Sequence, residues 1–310
     1  MQILPTKILV TGAQGLLGSN LCARLRGHYE TLGLVRSFRP EAAYEGIDYV
    51  EGDIADRNTV ISLLKKFHPK YIINAAAYTH VDACEHEREQ CWKVNAEAVG
   101  HLAAGARMID ARIITVSTDY VFDGKAGPYR ESDKPNPLGY YGKSKLASEN
   151  EVRLSGADYA IARTMVLYGT APAARPNFVT WLIDMLQQGR EVRIVDDQYG
   201  NPTLASELAE ALIALMRSEH SGVYHISGSE MLSRYDFACQ VAEVFGLDAG
   251  LISRIKTSEL GQAAPRPLRS GFIIEKAVQE LGITMSGSRE GLLKFRQEME
   301  LQQHRLANNL

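Results

Sequence analysis

Residues 140–145 read YYGKSK, two adjacent tyrosines with a lysine four positions after the second. A tyrosine can protonate the alkoxide formed when a hydride adds to a ketone, but its free pKa is about 10. A nearby cation favours the phenolate and brings that pKa toward the working range. Residues four apart share one helix face. Tyr141 has Lys145 at that spacing, whereas Tyr140 has Ser144, which carries no charge. The electrostatics therefore select Tyr141 as the proton donor and Lys145 as its cation. A third group should hold the carbonyl. VSTDYVFDG at 116–124 offers the hydroxyls of Ser117 and Thr118, either of which could serve. They stand at the end of an expected strand, where ligands gather in open α/β sheets.

A second constellation lies near the N-terminus, where TGAQGLLG places Gly12, Gly15 and Gly18 in G-x-x-G-x-x-G. Gly12 permits a tight turn, Gly15 lets the backbone approach a pyrophosphate, and Gly18 lets the helix pack close to the strand. The helix start then offers free N–H groups to the phosphates. Gln14, Leu16 and Leu17 are expected to line the same cradle. The second strand ends LVRS, with Arg36 and then Arg39 where an NAD-binding chain carries an acid. That favours NADP(H), with NAD(H) the alternative if both arginines are solvated loop charges. Asp53 and Ile54 follow the third strand in GDIAD. Asp53 reads equally as an adenine ligand and as a turn or cap residue.

These residues need a frame. Strands are expected at 7–11, 31–35, 47–50, 71–75, 112–117 and 159–163. Helices are expected at 15–26, 56–67 (capped by Asp56), 87–109 and 139–154. Short strands, apolar on both faces and separated by helices, imply a doubly wound parallel sheet of the Rossmann, NAD(P)-binding kind. The stretch 121–138 has two turn signals and further prolines and reads as a long functional loop. Beyond Tyr168 the alternation lapses, leaving helices at 207–217 and 235–245 and a strand at 223–226. The expected division is a nucleotide-binding domain over 1–168 and a smaller, interleaved C-terminal substrate domain over 169–310. Segments around 203–228 are expected to return to the first domain.

Composition bounds the partners. The chain has 310 residues and a formal charge of −3, which gives no case for nucleic acid or a membrane surface. Its four cysteines form no CxxC pair or zinc pattern, so no metal site is expected. No apolar run is long enough for a signal peptide or a membrane span, and a cytoplasmic protein is expected.

TGAQGLLG, NAAAYTHVDACE (74–85), VSTDYVFDG, YYGKSK and RTMVLYG (163–169) together resemble the extended short-chain dehydrogenase/reductases. Within them the chain most resembles the dTDP-4-dehydrorhamnose reductase family, from Lys7 to about Leu293. DDQYGNPT (196–203), GVYHISG (222–228) and PRPLRS (265–270) agree. The resemblance implies NAD(P)H-dependent reduction of the 4-keto group of a nucleotide-linked 6-deoxy sugar, dTDP-4-dehydro-L-rhamnose above all. It assigns Thr118 to the keto oxygen, Tyr141 to the proton, and Lys145 to the charge and the nicotinamide ribose. It places Ala75, Ala76 and Ala77 along the cofactor. It places Asp119, Tyr120, Val121, Asn177, Gln198 and Arg266 on the sugar-nucleotide side. Val166 stands where the family commonly has tryptophan, and Arg269 where it has asparagine, so the sugar itself is open. Magnesium, used by some relatives, and a homodimer are open as well. The regulatory subunit of methionine adenosyltransferase shares PYRESDKPNP, LYG and the Tyr–Lys spacing, which makes an NADP-binding regulator the rival reading. An epimerase or dehydratase of the superfamily is a third, but it lacks an evident acid/base pair near Thr118.

Overall fold

The computed structural model describes residues 5–308. β1 (Lys7–Thr11), α1 (Leu16–Leu25), β2 (Glu30–Val35), β3 (Asp48–Glu51), α2 (Arg57–Phe67) and β4 (Tyr71–Asn74) come first. α3 (Arg88–Trp92), a π-helical turn (Lys93–Glu97) and α4 (Ala98–Met108) follow without a break. β5 (Arg112–Thr118), α5 (Tyr140–Leu154) and β6 (Tyr159–Thr164) complete the first pass. Then come β7 (Leu167–Tyr168), α6 (Phe178–Gln187), β8 (Val192–Val195), β9 (Tyr199–Gly200), β10 (Thr203–Leu204), α7 (Ala205–Arg217) and β11 (Gly222–His225). The chain ends with β12 (Leu232–Ser233), α8 (Arg234–Phe245), β13 (Ile252–Ile255), α9 (Thr257–Leu260), α10 (Glu275–Leu281) and α11 (Ser288–Asn308). No helix among the described residues is long and apolar enough to cross a membrane.

Seven strands form one parallel sheet in the order β11-β6-β5-β4-β1-β2-β3. Its direction of growth reverses at β1, so a crevice opens at the strand ends there. Successive residues of a strand face opposite sides. Ile8 and Val10 accordingly pack under α1 and α7, beside Leu21, Leu25, Leu208 and Leu212. Leu9 packs on the other side with Leu64 of α2 and Leu102 of α4. Both layers are apolar, as the strand composition requires. β11 joins the sheet late in the chain, beside β6. A second core lies among α6, α8, α11 and the β8–β13 pair, around Leu182, Phe237 and Phe295.

Two local rules hold as expected. The Asp56 side chain accepts the Asn58 N–H at 2.9 Å and caps α2. Gly18 lets α1 pack against the β1 turn: a Cβ there would stand 2.1 Å from the Gly12 carbonyl oxygen. One expectation changes in detail. The helix expected at 87–109 is interrupted by the π-helical turn, inside which Asn95 is fully buried. Its Oδ1 accepts the Tyr78 N–H at 2.8 Å, and its amide donates to the Tyr78 carbonyl and to Ser144 Oγ. The widened turn thus carries a buried Asn whose side chain bonds the Tyr78 backbone and α5 rather than its own helix backbone. The stretch 121–138 has no helix or strand beyond a 3-10 turn at 119–121, yet it is pinned. Tyr129 bridges to Phe272, and its ring stacks on Phe122 at 4.1 Å.

α5 is anchored through a charge. Glu149, with no exposed surface, accepts Ser117 Oγ of β5 at 2.6 Å. Arg163 of β6 donates to both Glu149 oxygens, at 2.8 and 2.7 Å, and Arg153 donates at 2.8 Å. Burial pushes the Glu149 carboxyl up, but the bonds and charges of Arg163, Ser117 and Arg153 outweigh it and hold the pKa below the usual range. Removing one partner of such a pair strands the other charge. Glu149→Ala should therefore cost about 3–5 kcal/mol in urea unfolding. Glu149→Ala with Arg163→Met should recover part of that loss. A single variant as stable as the parent would contradict the anchoring role.

Candidate active site

The crevice at the switch point is a cleft of about 750 Å³. It brings together most of the residues singled out in the sequence. Gly12, Gln14, Gly15, Leu16, Leu17, Arg36, Ala75, Ala76 and Ala77 line one part, and Thr118, Asp119, Tyr120, Tyr141 and Lys145 another. A polar tie crosses the strand ends beneath it: Thr11 donates to Asn74 at 2.6 Å, and Asn74 donates to Thr115 at 3.1 Å.

The glycine end suits a diphosphate. Gly12 has φ +64°, and a Cβ there would sit 3.0 Å from the Ala76 backbone. Gly15 caps α1 without a side-chain bond, so the first N–H groups of the helix are not taken by a capping side chain. Arg39 is committed to the loop, donating to the Ala173 carbonyl at 2.7 Å and to the Gln14 carbonyl at 2.5 Å. Arg36 is exposed on the rim, with no hydrogen bond or ion pair among the described residues. The cradle and the free cation thus fit a dinucleotide with a further phosphate.

At the other end, Tyr141 is buried and meets Tyr120 edge-on, with ring centroids 5.5 Å apart. Burial first, and then the Asp119 charge, push its phenol well above the ordinary range, while contact with the Thr118 hydroxyl works against them. Lys145 is buried, and its Nζ donates to the Val116 carbonyl at 2.8 Å. Burial brings its pKa down to about 8, against the charges of Glu149 and Cys91. The spacing predicts a lysine that lowers the phenol pKa. The phenol is instead pushed up, by burial first and then by the Asp119 charge, and burial pulls the Lys145 ammonium down. Thr118 Oγ1 donates to Asp119 Oδ1 at 3.1 Å, and Ser270 donates to Asp119 Oδ2 at 2.5 Å. Tyr140 points elsewhere: Arg88 stands 5.3 Å over its ring, and it does not line the cleft.

Seven expected residues lie off the cleft lining. Gly18 is packed within α1, Ile54 belongs to the core under α2, and Val121 to a cluster with Phe122 and Tyr129. Asp53 is exposed and accepts the Ala55 N–H at 2.9 Å, the turn role that the sequence left open. Asn177 is the N-cap of α6: its Oδ1 accepts from Val179 and Thr180, and its amide donates to the Gly169 carbonyl. The Gln198 amide donates to Thr257 and Gln262. Arg266 stands 5.8 Å over the Tyr120 ring and pairs with Asp82 at 2.7 Å. Asn95 and Glu149 are the supporting residues that the sequence reading passed over. Glu149 was discoverable, since it extends the Tyr141–Lys145 spacing by another four residues.

A family model described as RmlD substrate binding domain matches residues 6–301. Over 94% of its length the chain is 37% identical to the spore coat polysaccharide biosynthesis protein SpsK of Bacillus subtilis (strain 168), covering 98% of that protein. It is 34% identical to a dTDP-4-dehydrorhamnose reductase of Aggregatibacter actinomycetemcomitans, over 94% of this chain and 98% of that one. It is also 31% identical to methionine adenosyltransferase 2 subunit beta of Danio rerio, over 84% of this chain and 80% of that one. Among solved structures, the dTDP-4-dehydrorhamnose reductase of Bacillus anthracis str. Ames, in complex with NADP, superposes with a TM-score of 0.85 at 30% identity. It covers 95% of this chain and 100% of its own.

The depressed Lys145 has a signed consequence. Between about pH 8 and its unfolded value, near 10.5, the unfolded chain holds a proton that the folded one has lost. Stability from this group should therefore rise with pH across that window, by about 3 kcal/mol at about 1.4 kcal/mol per unit. Melting of the wild type and Lys145→Met at stepped pH reads the difference. The wild type should gain on the variant from pH 8 upward, and a flat difference would contradict the buried-cation geometry.

Proposed function

Because the chain belongs to the RmlD substrate binding domain family, we propose that it reduces the 4-keto group of a nucleotide-linked 6-deoxy sugar with NADPH, dTDP-4-dehydro-L-rhamnose being the first candidate. Its class is that of an NADP-dependent sugar-nucleotide reductase. The observation that carries the reading is the convergence of Thr118, Tyr141 and Lys145 in one cleft with the glycine cradle. Gly12, Gly15 and the start of α1 would hold the cofactor diphosphate, and Ala75 to Ala77 its flank. Arg36 would meet the 2′-phosphate, which supports NADPH over NADH. Bound NADPH supplies the hydride.

The protein's own groups manage the oxygen. The Thr118 hydroxyl donates to the keto oxygen and holds it beside the Tyr141 phenol. Tyr141, kept protonated by burial and by Asp119, passes its proton to that oxygen as it gains negative charge. Lys145, one turn along α5, then stabilises the phenolate while it remains charged, below about pH 8. Residues 169–310, apart from the stretch around 203–228, would close over the sugar nucleotide. Val166 lines the cleft at φ 45°, a strained setting for a β-branched residue, and with Arg269 is a candidate for sugar choice.

The similarity to a methionine adenosyltransferase beta subunit keeps a second reading alive, an NADP-binding regulator without turnover. Substitution separates the two. Tyr141→Phe removes only the hydroxyl and should lower the reduction rate by about 10²–10⁴. Tyr140→Phe, on another helix face, should cost far less. Thr118→Val should lower kcat with little change in NADPH affinity. A near-normal rate for Tyr141→Phe would refute the assignment. A wild type that binds NADPH but reduces no 4-keto sugar nucleotide would favour the regulator.

A further inference from the structure

Asp119 and Glu149 are both buried carboxylates, and they are held differently. Glu149 has the guanidiniums of Arg163 and Arg153. Asp119, 5% exposed on the cleft wall beside Tyr141, has two neutral hydroxyls instead. Thr118 Oγ1 lies 3.1 Å from its Oδ1, and Ser270 Oγ lies 2.5 Å from its Oδ2. Among the described residues no ion pair reaches it. A carboxylate with no ionic partner in a dry site tends to take up a proton rather than hold its charge. Burial accordingly pushes the Asp119 carboxyl up, against the two hydroxyls and the charge of Arg234 on α8. Tyr120 and Tyr141 are the other titratable groups that feel it. The resemblance placed Asp119 on the sugar side, but its carboxylate oxygens are turned to Thr118 and Ser270.

The Thr118 hydroxyl carries one hydrogen. Its oxygen accepts the Tyr120 N–H at 3.2 Å, and its hydrogen points to Asp119. To hold a keto oxygen, that hydrogen must turn into the cleft. The second lone pair of the hydroxyl would then face an ionised Oδ1 across 3.1 Å, acceptor against acceptor. A proton on Asp119 removes the conflict. Oδ1–H donates to Thr118, Thr118 donates to the ketone, and Oδ2 still accepts from Ser270. We propose that Asp119 is a positioning residue, protonated in the productive complex, whose proton turns the Thr118 hydroxyl toward the keto oxygen. This rests on the keto-sugar reduction proposed above. A neutral Asp119 also suits the chemistry, because a carboxylate one hydroxyl away would oppose the negative charge that hydride transfer puts on the oxygen. Its neutralisation eases the upward push on the Tyr141 phenol as well, while burial, the larger cause, still keeps that phenol protonated. The Asp119 proton is not consumed, since Tyr141 supplies the one that ends on the sugar.

Turnover and infrared spectroscopy test it together. Asp119→Ala should lower kcat by about 10²–10³-fold, the scale of a lost oxyanion donor. Asp119→Asn keeps the donor and the acceptor of the neutral acid, and should recover at least about tenfold of that loss. An anionic role predicts the opposite, Asn failing as badly as Ala. The second reading is taken with a 4-keto sugar nucleotide bound beside NADP⁺, which has no hydride to give. The wild type should then show a protonated-carboxyl stretch that shifts in heavy water and on carbon-13 labelling of aspartate, and Asp119→Asn should lack it. This band decides even where Asp119→Ala does not fold. No recovery in Asp119→Asn, or no such band in the wild type, would overturn the inference and leave the reductase reading standing. A wild type that reduces no 4-keto sugar nucleotide would sink that reading and this inference with it.

Discussion

Glu149 is a carboxylate shut off from water, and it stays ionised only because Ser117, Arg163 and Arg153 surround it. It lies one turn beyond Lys145 and two beyond Tyr141 on the same face of α5. Ser117, which it grips, is the neighbour of Thr118 on β5. One buried ion therefore fixes the helix that carries Tyr141, the proposed proton donor, against the strand that carries Thr118. Its charge also opposes the fall in the Lys145 pKa that burial causes. A buried pair of this kind is a poor source of net stability, because desolvating its members offsets much of their attraction. What it supplies is register, and register is what a three-residue site drawn from two elements needs.

The rest of the cleft follows from topology. A parallel sheet that reverses its growth at β1 leaves a crevice at the strand ends, and the β1–α1 glycines make its floor out of backbone. The glycine turn and Thr118 then lie along one wall of strand ends, β1 and β4 beside the first and β5 carrying the second, with Tyr141 and Lys145 of α5 facing the same cleft. Asn95 adds a cross-link, since its side chain joins the Tyr78 backbone to Ser144 of α5 through the widened turn between α3 and α4. Below this layer the chemistry asks for little, and ordinary apolar packing fills it.

The sheet was legible because its strands are short, apolar on both faces and spaced by helices. The glycine triplet and the Tyr141–Lys145 spacing were legible because each encodes one local geometry. Asn177 and Gln198 read as ligands, and Asp53 as either a ligand or a turn residue, for a different reason. In sequence, a capping or turn-forming polar residue looks the same as one reaching for substrate, and only the structure shows that their atoms are already engaged with the chain. α6 carried a readable signal, the Asn177 and Thr180 capping box, inside a stretch that appeared irregular. α11 carried little: its apolar face of Leu292 and Phe295 is sparse and the rest of its sequence highly charged, so packing against α8 rather than local pattern defines it. Glu149 was half legible: its spacing put it on the Tyr141–Lys145 face, but its anchoring role depends on Ser117 and Arg163, which come from other elements.

The most direct test of the account follows the hydrogen atom. The protein is mixed with NADPH deuterated at the transferable position of nicotinamide C4 and with dTDP-4-dehydro-L-rhamnose or a related 4-keto sugar nucleotide, and the product is read by mass spectrometry and proton NMR. The account predicts one deuterium at C4 of the sugar for each NADPH oxidised. Intact NADPH and an unlabelled, unreduced sugar, in a protein that binds both, would contradict it.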